Sequence, residues 1–445
     1  MVEATRSGVM SADEMAALSK KHSMYDWVPQ DSVVPLPVEY AKGVYMYTPD
    51  GQRVLDFNSQ LMSVNIGHGD ERVIQAIAEQ AGKVTYVTPS MTTEVRARLG
   101  AKLAEITPGD LDVWFFTNAG AEANENAIKI ARNYTGRQKV LARYRSYHGA
   151  SGATMVATGD PRRWGAEIGV SGIVRAPDFH KWGKPDPEPV DVALRELEDV
   201  IMYEGGHTIA AFIMEPIVGT NGILIPPDGY MQGVRDICTQ HGIMLIADEI
   251  MSGFGRTGEW FAVDNWGVVP DLMCIAKGLT SSYIQLGAVG MTREVADTWK
   301  DKPFIGGLTY NSHALACATA LAVIDVYEQD DLIARAKRMG EVMAEHHRRL
   351  AEKHPSVGRT RSKGLFGIIE LVRSHDPYTP MAPYNGTSDE MKAIGAYFKE
   401  HGLFTFLRFG MIHTNPPLII SEDELAEGFD IIDGALDIAD EAVRG

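Results

Sequence analysis

The chain has 445 residues, 45% of them hydrophobic, enough to bury a large core and to fold as two or three subdomains. Its formal net charge of −17 is spread along the length, which opposes binding to nucleic acid or to an anionic membrane, both of which call for basic surface. The three cysteines, Cys238, Cys274 and Cys317, form no CxxC pair and read as reduced core residues rather than disulfides or zinc ligands. Met1 to Lys20 mixes Glu3, Arg6, Asp13 and Glu14 with small residues and holds no apolar run of the kind a secretory signal needs. The longest apolar stretch, about Ala314 to Val323, is too short to span a bilayer and reads as a buried helix. A cytoplasmic address is expected.

In chain order, an irregular arm precedes Gly43-Val-Tyr-Met-Tyr47 and Val54-Leu-Asp-Phe57, two strand-like runs around Pro49-Asp50-Gly51 that predict a hairpin. From about Asp70 to Asp325, short β-rich runs alternate with helical patterns. The runs are Val113–Thr117, Val140–Arg143, Ala210–Met214, Ile243–Ala247, Asp271–Ile275 and Ala288–Met291. Such alternation predicts a mostly parallel α/β sheet covered by helices on both faces. Helices are expected over 122–132, where Ala127, Ile128 and Ala131 share a face, and over 228–241, closed by Gly242. A helix pair over 314–328 and 331–354, with Pro355 beyond it, marks a boundary. His346 and His347, set among Glu345, Arg348 and Arg349, read as a solvated face. After the boundary, Gly364–Val372 and helices around 388–401 and 422–443 predict a second, small α/β lobe. The expected division is 1–70 for the arm and part of the small domain, 71–328 for the large domain and 329–445 for the rest of the small domain.

In parallel sheets ligands collect outside the carboxyl ends of the strands, so those ends are where the chemistry is expected. After Val113–Thr117 comes Asn118-Ala-Gly-Ala-Glu-Ala-Asn124, small residues opening a helix; free N–H groups and the positive end of a helix dipole suit a phosphate there, although ordinary strand-to-helix turns look alike. Neither GxxxxGK[ST] nor GxGxxG occurs at this turn, which argues against a nucleoside triphosphate or a dinucleotide and for a small phosphate cofactor. The run 140–143 leads to Tyr147-His148-Gly149: Tyr147 can stack on a planar ring, and His148 can be a base, a ligand or a turn residue.

Ile243–Ala247 ends in Asp248-Glu249. A carboxylate leaving a buried strand needs a metal, an arginine or a protonated heterocyclic nitrogen as partner. The sequence places no histidine–carboxylate cluster nearby and no HExxH, which makes a metal the weakest of the three. Asp271–Ile275 ends in Ala276-Lys277-Gly278. Most lysines are solvated, but one partly desolvated at the mouth of a sheet can have its pKa lowered enough to form a Schiff base with an aldehyde. A phosphate turn, a stacking aromatic, a carboxylate for a ring nitrogen and an amine are what pyridoxal 5'-phosphate (PLP) requires.

With these residues in view, the sequence from about Tyr25 to the C-terminus resembles the class III aminotransferases of PLP fold type I, the group that includes the ω-amino acid:pyruvate transaminases. The resemblance is carried by Asn65-Ile-Gly-His68-Gly, Asn118-Ala-Gly-Ala-Glu-Ala, Tyr147-His-Gly, Glu215-Pro, Asp248-Glu-Ile, Gly253-Phe-Gly-Arg-Thr-Gly258, Ala276-Lys-Gly and Leu308-Thr-Tyr. It implies a large domain with a mostly parallel seven-stranded sheet and a small α/β domain built from both termini. It further implies that Lys277 links to the cofactor and shuttles the proton, and that Asp248 holds the pyridinium nitrogen. Tyr147 and Ile250 would cover the two ring faces. Gly120 and Ala121 would bind the phosphate, with His148 and Glu215 near the cofactor. Thr309 would complete the phosphate site of a neighbouring subunit, so that a homodimer shares its active sites, with a tetramer as the larger alternative. A ping-pong exchange between an amine donor and an oxo-acid acceptor follows.

The acceptor's carboxylate calls for a cation, and Arg408, in Leu407-Arg-Phe-Gly, resembles the family's mobile arginine. Its interval to Pro416 is shorter than in many relatives. Thr220, after Glu215-Pro-Ile-Val-Gly219, stands where 4-aminobutyrate and ornithine enzymes of the class usually carry a glutamate, which turns the expectation toward pyruvate-using ω-transaminases. Tyr25 and Trp27 resemble aromatics that wall the donor pocket, and Arg162 with Arg163 would face a distal acid, as in β-alanine or taurine. Gln285 departs from a proline common in relatives. The alternatives are a 4-aminobutyrate/2-oxoglutarate transaminase and an aminomutase of the glutamate-1-semialdehyde type, which turns over one substrate with no external acceptor. A non-catalytic PLP-fold protein would lack the lysine or the phosphate turn, and a dehydrogenase would carry the glycine fingerprint.

Overall fold

The computed structural model describes residues 10–169 and 172–443; Glu3 and Arg6 of the N-terminal segment lie outside them. The arm holds a helix, Ala12–His22, started by a Ser11 capping box with Glu14. Three short strands follow, β1 (Tyr40–Lys42), β2 (Tyr45–Tyr47) and β3 (Arg53–Asp56). β2 and β3 form the expected hairpin across Asp50-Gly51, with Met46 opposite Val54.

The central sheet has seven strands: β4 (Val113–Thr117), β5 (Lys139–Arg143), β6 (Ile173–Ala176), β7 (Ile209–Met214), β8 (Met244–Asp248), β9 (Leu272–Ile275) and β10 (Gly287–Met291). Their order is β4-β10-β9-β8-β7-β5-β6. All neighbours pair in parallel except at β10, which is antiparallel to both β4 and β9. The strands β7, β8 and β9 are buried at every residue, as strands covered on both faces must be. The edge strand β6 has no counterpart among the six runs seen in sequence: at four residues, and interrupted by Arg175, it has neither the length nor the alternation that marks a strand.

Beyond the helices Ala314–Gln329 and Leu332–Lys353 come β11 (Val357–Lys363), β12 (Phe366–His375), β13 (Tyr378–Pro380), β14 (Leu403–Phe404), β15 (Leu407–Arg408) and β16 (Met411–Thr414). The sequence run 364–372 is thus the turn and strand of an antiparallel pair, β11–β12. Gly364 turns the chain at φ +56°, where a Cβ would lie 2.5 Å from the Thr257 carbonyl carbon, so only glycine fits. β14 pairs in parallel with β3, so both ends of the chain build one sheet. The final helix starts at a Ser421–Glu424 capping box, worth about 1 kcal/mol, and runs Glu422–Asp440, shorter than expected.

Arg256, from the motif 253–258, fastens these parts together. Fully buried, it donates to the carbonyls of Leu365 and Pro416, to Ser59 Oγ and to Asn65 Oδ1. One side chain from the middle of the sequence therefore satisfies groups of the N-terminal segment and of the C-terminal part. The expectation for the histidines of the second long helix needs correction. His347 is buried, with Nε2 3.0 Å from Thr414 Oγ1, and burial pulls its pKa down to about 3. His346 stacks on Phe429 at 4.7 Å. The helix turns this side to the C-terminal helix instead of to water, a packing that the neighbouring arginines and glutamate concealed. All three cysteines are buried and unpaired.

Candidate active site

Register brings the chemistry together. Met214 of β7 lies beside Ala247 of β8, and Asp248 beside Cys274 of β9. The residues leaving these strands, Glu215, Asp248 and Lys277, therefore emerge at one end of the sheet, where they form the floor of the site. Asp248 is itself the last residue of β8, one position further than the sequence pattern indicated.

Asp248 is 3% exposed and is answered by an amide, an imidazole and a backbone N–H. Its Oδ2 accepts from Asn124 Nδ2 at 2.7 Å and lies 2.8 Å from His148 Nδ1; its Oδ1 accepts from the Ile250 backbone N–H at 3.2 Å. His148, open in sequence between base, ligand and turn residue, is thus the neighbour of Asp248, although 100 residues separate them. The lack of a nearby histidine held for the sequence and fails in the fold. Asn124 was missed as a site residue. Its signal was present: it lies four residues after Gly120, on the same face of the helix Gly120–Thr135, and its amide also donates to the His148 carbonyl.

Glu215 is buried between backbone donors: Oε1 accepts from Tyr147 N at 3.0 Å and Oε2 from Gly219 N at 2.7 Å. Burial raises its pKa. It thereby fixes the backbone on which Tyr147 is mounted. Glu249, next to Asp248, turns away into the following loop, where it accepts from Ser252 Oγ and Val263 N.

Lys277 begins a short 3-10 turn with φ +45°, a conformation that costs a non-glycine residue about 1–3 kcal/mol and is commonly retained at functional sites. Burial lowers its pKa to about 8, against the opposing pull of Asp248 and Glu215. At pH 7 roughly a tenth of the amine is then unprotonated and nucleophilic, far more than for a solvated lysine.

The helix Gly120–Thr135 starts at Ala119, which offers no side-chain cap. Among the described residues its first-turn N–H groups, at Gly120 and Ala121, therefore have no side chain competing for them. Ile250 packs on Gly120 so closely that a Cβ there would lie 2.7 Å from Ile250 Cδ1. These residues fit pyridoxal phosphate: a bare helix start for the phosphate, Ile250 and Tyr147 for the ring, a buried carboxylate for the ring nitrogen and a depressed lysine for the aldehyde.

The substrate candidates also meet. Arg162 lies over the Tyr147 ring at 3.7 Å and over Trp27 at 5.3 Å, and Trp27 meets Tyr147 edge-on at 6.0 Å. Tyr25 instead contacts the Ser19 hydroxyl of the arm helix. Arg162 Nε donates to Asp160 Oδ2 at 2.9 Å, and one of its amino groups donates to Thr220 Oγ1 at 2.8 Å. Arg408, on the β15–β16 hairpin, donates to the same Asp160 Oδ2 at 3.1 Å. Its side chain is 13% exposed, so it is no surface arginine. Arg163 is turned elsewhere, to Glu167. Asp160 was overlooked in sequence, where an aspartate before a proline signals a helix start: it caps the turn Pro161–Arg163. Thr309 is exposed and its carbonyl accepts from the Tyr86 hydroxyl. Gln285 is exposed, and nothing in the structure explains its departure.

Comparison with known proteins agrees with this geometry. The family model "Aminotransferase class-III" matches residues 28–436. The structure of taurine:2-oxoglutarate aminotransferase from Bifidobacterium kashiwanohense, in complex with PLP and glutamate, superposes with a TM-score of 0.94 at 37% identity, covering 98% of this chain and 99% of that one. An (S)-enantioselective omega-transaminase from Thermomicrobium roseum gives 0.92 at 35% identity, covering 97% and 100%. The omega-aminotransferase of Caulobacter vibrioides is 34% identical over 411 residues, 88% of this chain and 91% of its own length. The chain belongs to the class III aminotransferases, PLP-dependent enzymes with this mostly parallel seven-stranded fold.

Proposed function

We propose that this enzyme moves the amino group of an ω-amino acid with a distal acid, β-alanine-like or taurine-like, to an oxo-acid, with pyruvate as acceptor. The observation that carries this reading is the meeting of Arg162 and Arg408 at Asp160 beside Tyr147. Two guanidiniums around one carboxylate leave one positive charge for a substrate's acid group. Thr220, standing where a competing glutamate is usual in other enzymes of the class, leaves that charge uncancelled.

Bound PLP would supply the electron sink that makes the C–H next to the donor's amino group acidic. Lys277 would hold the cofactor through Nζ, and its amine is the group placed to take the donor's proton as general base and return it as general acid. Asp248, fixed by Asn124 and His148, would take the ring nitrogen. Gly120 and Ala121 offer backbone N–H groups to the phosphate. Tyr147 and Ile250 confine the ring, and Glu215 braces Tyr147. Thr309 serves the partner's phosphate, which makes a homodimer the working unit; its exposed position, with Ile305 and Tyr310 exposed nearby, supports that role. The chain divides at 70 and 328 into a large cofactor-binding domain and a small domain drawn from both ends, as the pairing of β3 with β14 supports. Among the described residues no helix is long and apolar enough to cross a membrane, and the unpaired buried cysteines support a cytoplasmic address.

A second reading is favoured by the same pair of arginines: a dicarboxylic acceptor, 2-oxoglutarate, would engage both. A panel of β-alanine, taurine, 4-aminobutyrate and 1-phenylethylamine against pyruvate and 2-oxoglutarate separates these readings. We expect the acidic donors to be preferred over 1-phenylethylamine by at least tenfold in kcat/KM. Equal or greater use of the neutral amine would overturn the assignment. Failure of every donor to amino-load the cofactor would instead favour the aminomutase.

A further inference from the structure

We infer that Asp160 is the positioning residue of the acid-recognition pocket, holding Arg162 rigid and Arg408 loosely on one shared carboxylate; the inference rests on the acidic-donor reading above. Asp160 is fully buried and grips Arg162 from three sides: Oδ1 accepts its backbone N–H at 2.9 Å and its Nε at 3.1 Å, while Oδ2 accepts Nε at 2.9 Å and an amino group besides. Asn221 Nδ2 donates to Oδ2 at 3.1 Å and holds the carboxylate from behind. Arg408 reaches this oxygen with one amino group only, and among the described residues its buried Nε has no partner.

The two guanidiniums are therefore unequal. Arg162, pinned also by Thr220, cannot move without breaking several charge-assisted hydrogen bonds at once. Arg408, which also lies over the Phe409 ring, has a single hydrogen bond to give up and an unsatisfied donor to gain, on a two-residue strand at the edge of its sheet. An incoming carboxylate or sulfonate satisfies that donor. When the substrate is a neutral amine, Arg408 rests on Asp160 instead of pointing an unpaired charge at an apolar group. Without the carboxylate, like charges would push the guanidiniums apart and the pocket would lose its spacing.

The test is Asp160→Asn in the holoenzyme, with kcat and KM measured for taurine, β-alanine and 1-phenylethylamine. We expect the ratio of acidic-donor to neutral-amine kcat/KM to fall at least tenfold, mostly through KM of the acidic donors. In parallel, 2-hydroxyethanesulfonate, which has the acid but no amine, should lose its ability to raise the melting temperature. Asn221→Ala, which keeps the carboxylate and removes only its rear support, should move the ratio the same way by two- to fivefold and serves if Asp160→Asn does not fold. A ratio that rises, as it would if Asp160 merely competed with substrate for the arginines, overturns the inference, as does equal loss for all donors. A wild-type enzyme that does not prefer acidic donors defeats the functional reading itself, a result visible before any variant is made.

Discussion

The floor and the rim of the active site handle charge in opposite ways. On the floor, Asp248 and Glu215 are buried carboxylates met by an amide, an imidazole and backbone N–H groups, and Lys277 is the cation held down by burial. On the rim, two arginines surround the single carboxylate of Asp160. Burial raises the Asp160 pKa, but the hydrogen bond and charge of Arg162, with the charge of Arg408, outweigh it and bring the carboxyl below its usual range. Burial and the charge of Arg162 lower Arg408 to about 10, so the rim still keeps its charge across the neutral range. The floor's carboxylates are answered by groups of their own protein, whereas the rim carries one positive charge more than its carboxylate cancels, a charge that the proposed function assigns to an acidic substrate.

This contrast can be broken at several points. The largest effect is expected at the floor's amine: Lys277→Ala should lower turnover by about 10³-fold or more for all donors, with the visible absorbance of the protein-linked cofactor lost after amine treatment and gel filtration. Retention of full turnover would remove Lys277 from the chemistry.

A smaller change is expected from Asn124→Leu, which takes one donor from Asp248 at nearly constant volume. The half-reaction rate should fall about 10-fold, the size seen when a group orienting an active-site ligand is removed, and by the same factor for taurine and 1-phenylethylamine. A donor-dependent loss in stopped-flow traces would mean that floor and rim are not separate.

The smallest effect concerns stability of the cofactor-free enzyme. Burial depresses Lys277 from 10.5 to about 8, so between those values the unfolded chain binds more protons than the folded one. Stability then rises with pH in that window, and the penalty on the buried ammonium is fully present below pH 8. Against Lys277→Met as reference, the melting temperature of the cofactor-free wild type should gain ground from pH 8 to 10.5. Parallel curves for the two proteins would show that Lys277 is solvated.

Much of the floor was legible in the sequence because its signals are local. Asn118-Ala-Gly-Ala, Asp248 and Lys277 each stand at the end of a short apolar run, and runs of that kind between helical patterns identify strands of a parallel sheet. The misses share a cause as well. The edge strand β6 is short and carries a charged residue. His347 sits among charges that line one side of its helix while its own side packs on the C-terminal elements. Asp160 passed as a flank of two arginines, since no local pattern tells a carboxylate that caps one turn from one that also binds a residue on a distant hairpin.

The sequence by itself determined the strand-and-helix alternation, the family and the candidates for cofactor chemistry, since periodicity, turn residues and strand ends are written within a few positions of one another. Only the tertiary structure decided who their partners are. Asp160 and Arg408 stand 248 residues apart, and His148 and Asp248 100 apart; such pairs are chosen by strand register and by the penalty on unpaired buried charge, neither of which exists until the sheet is assembled.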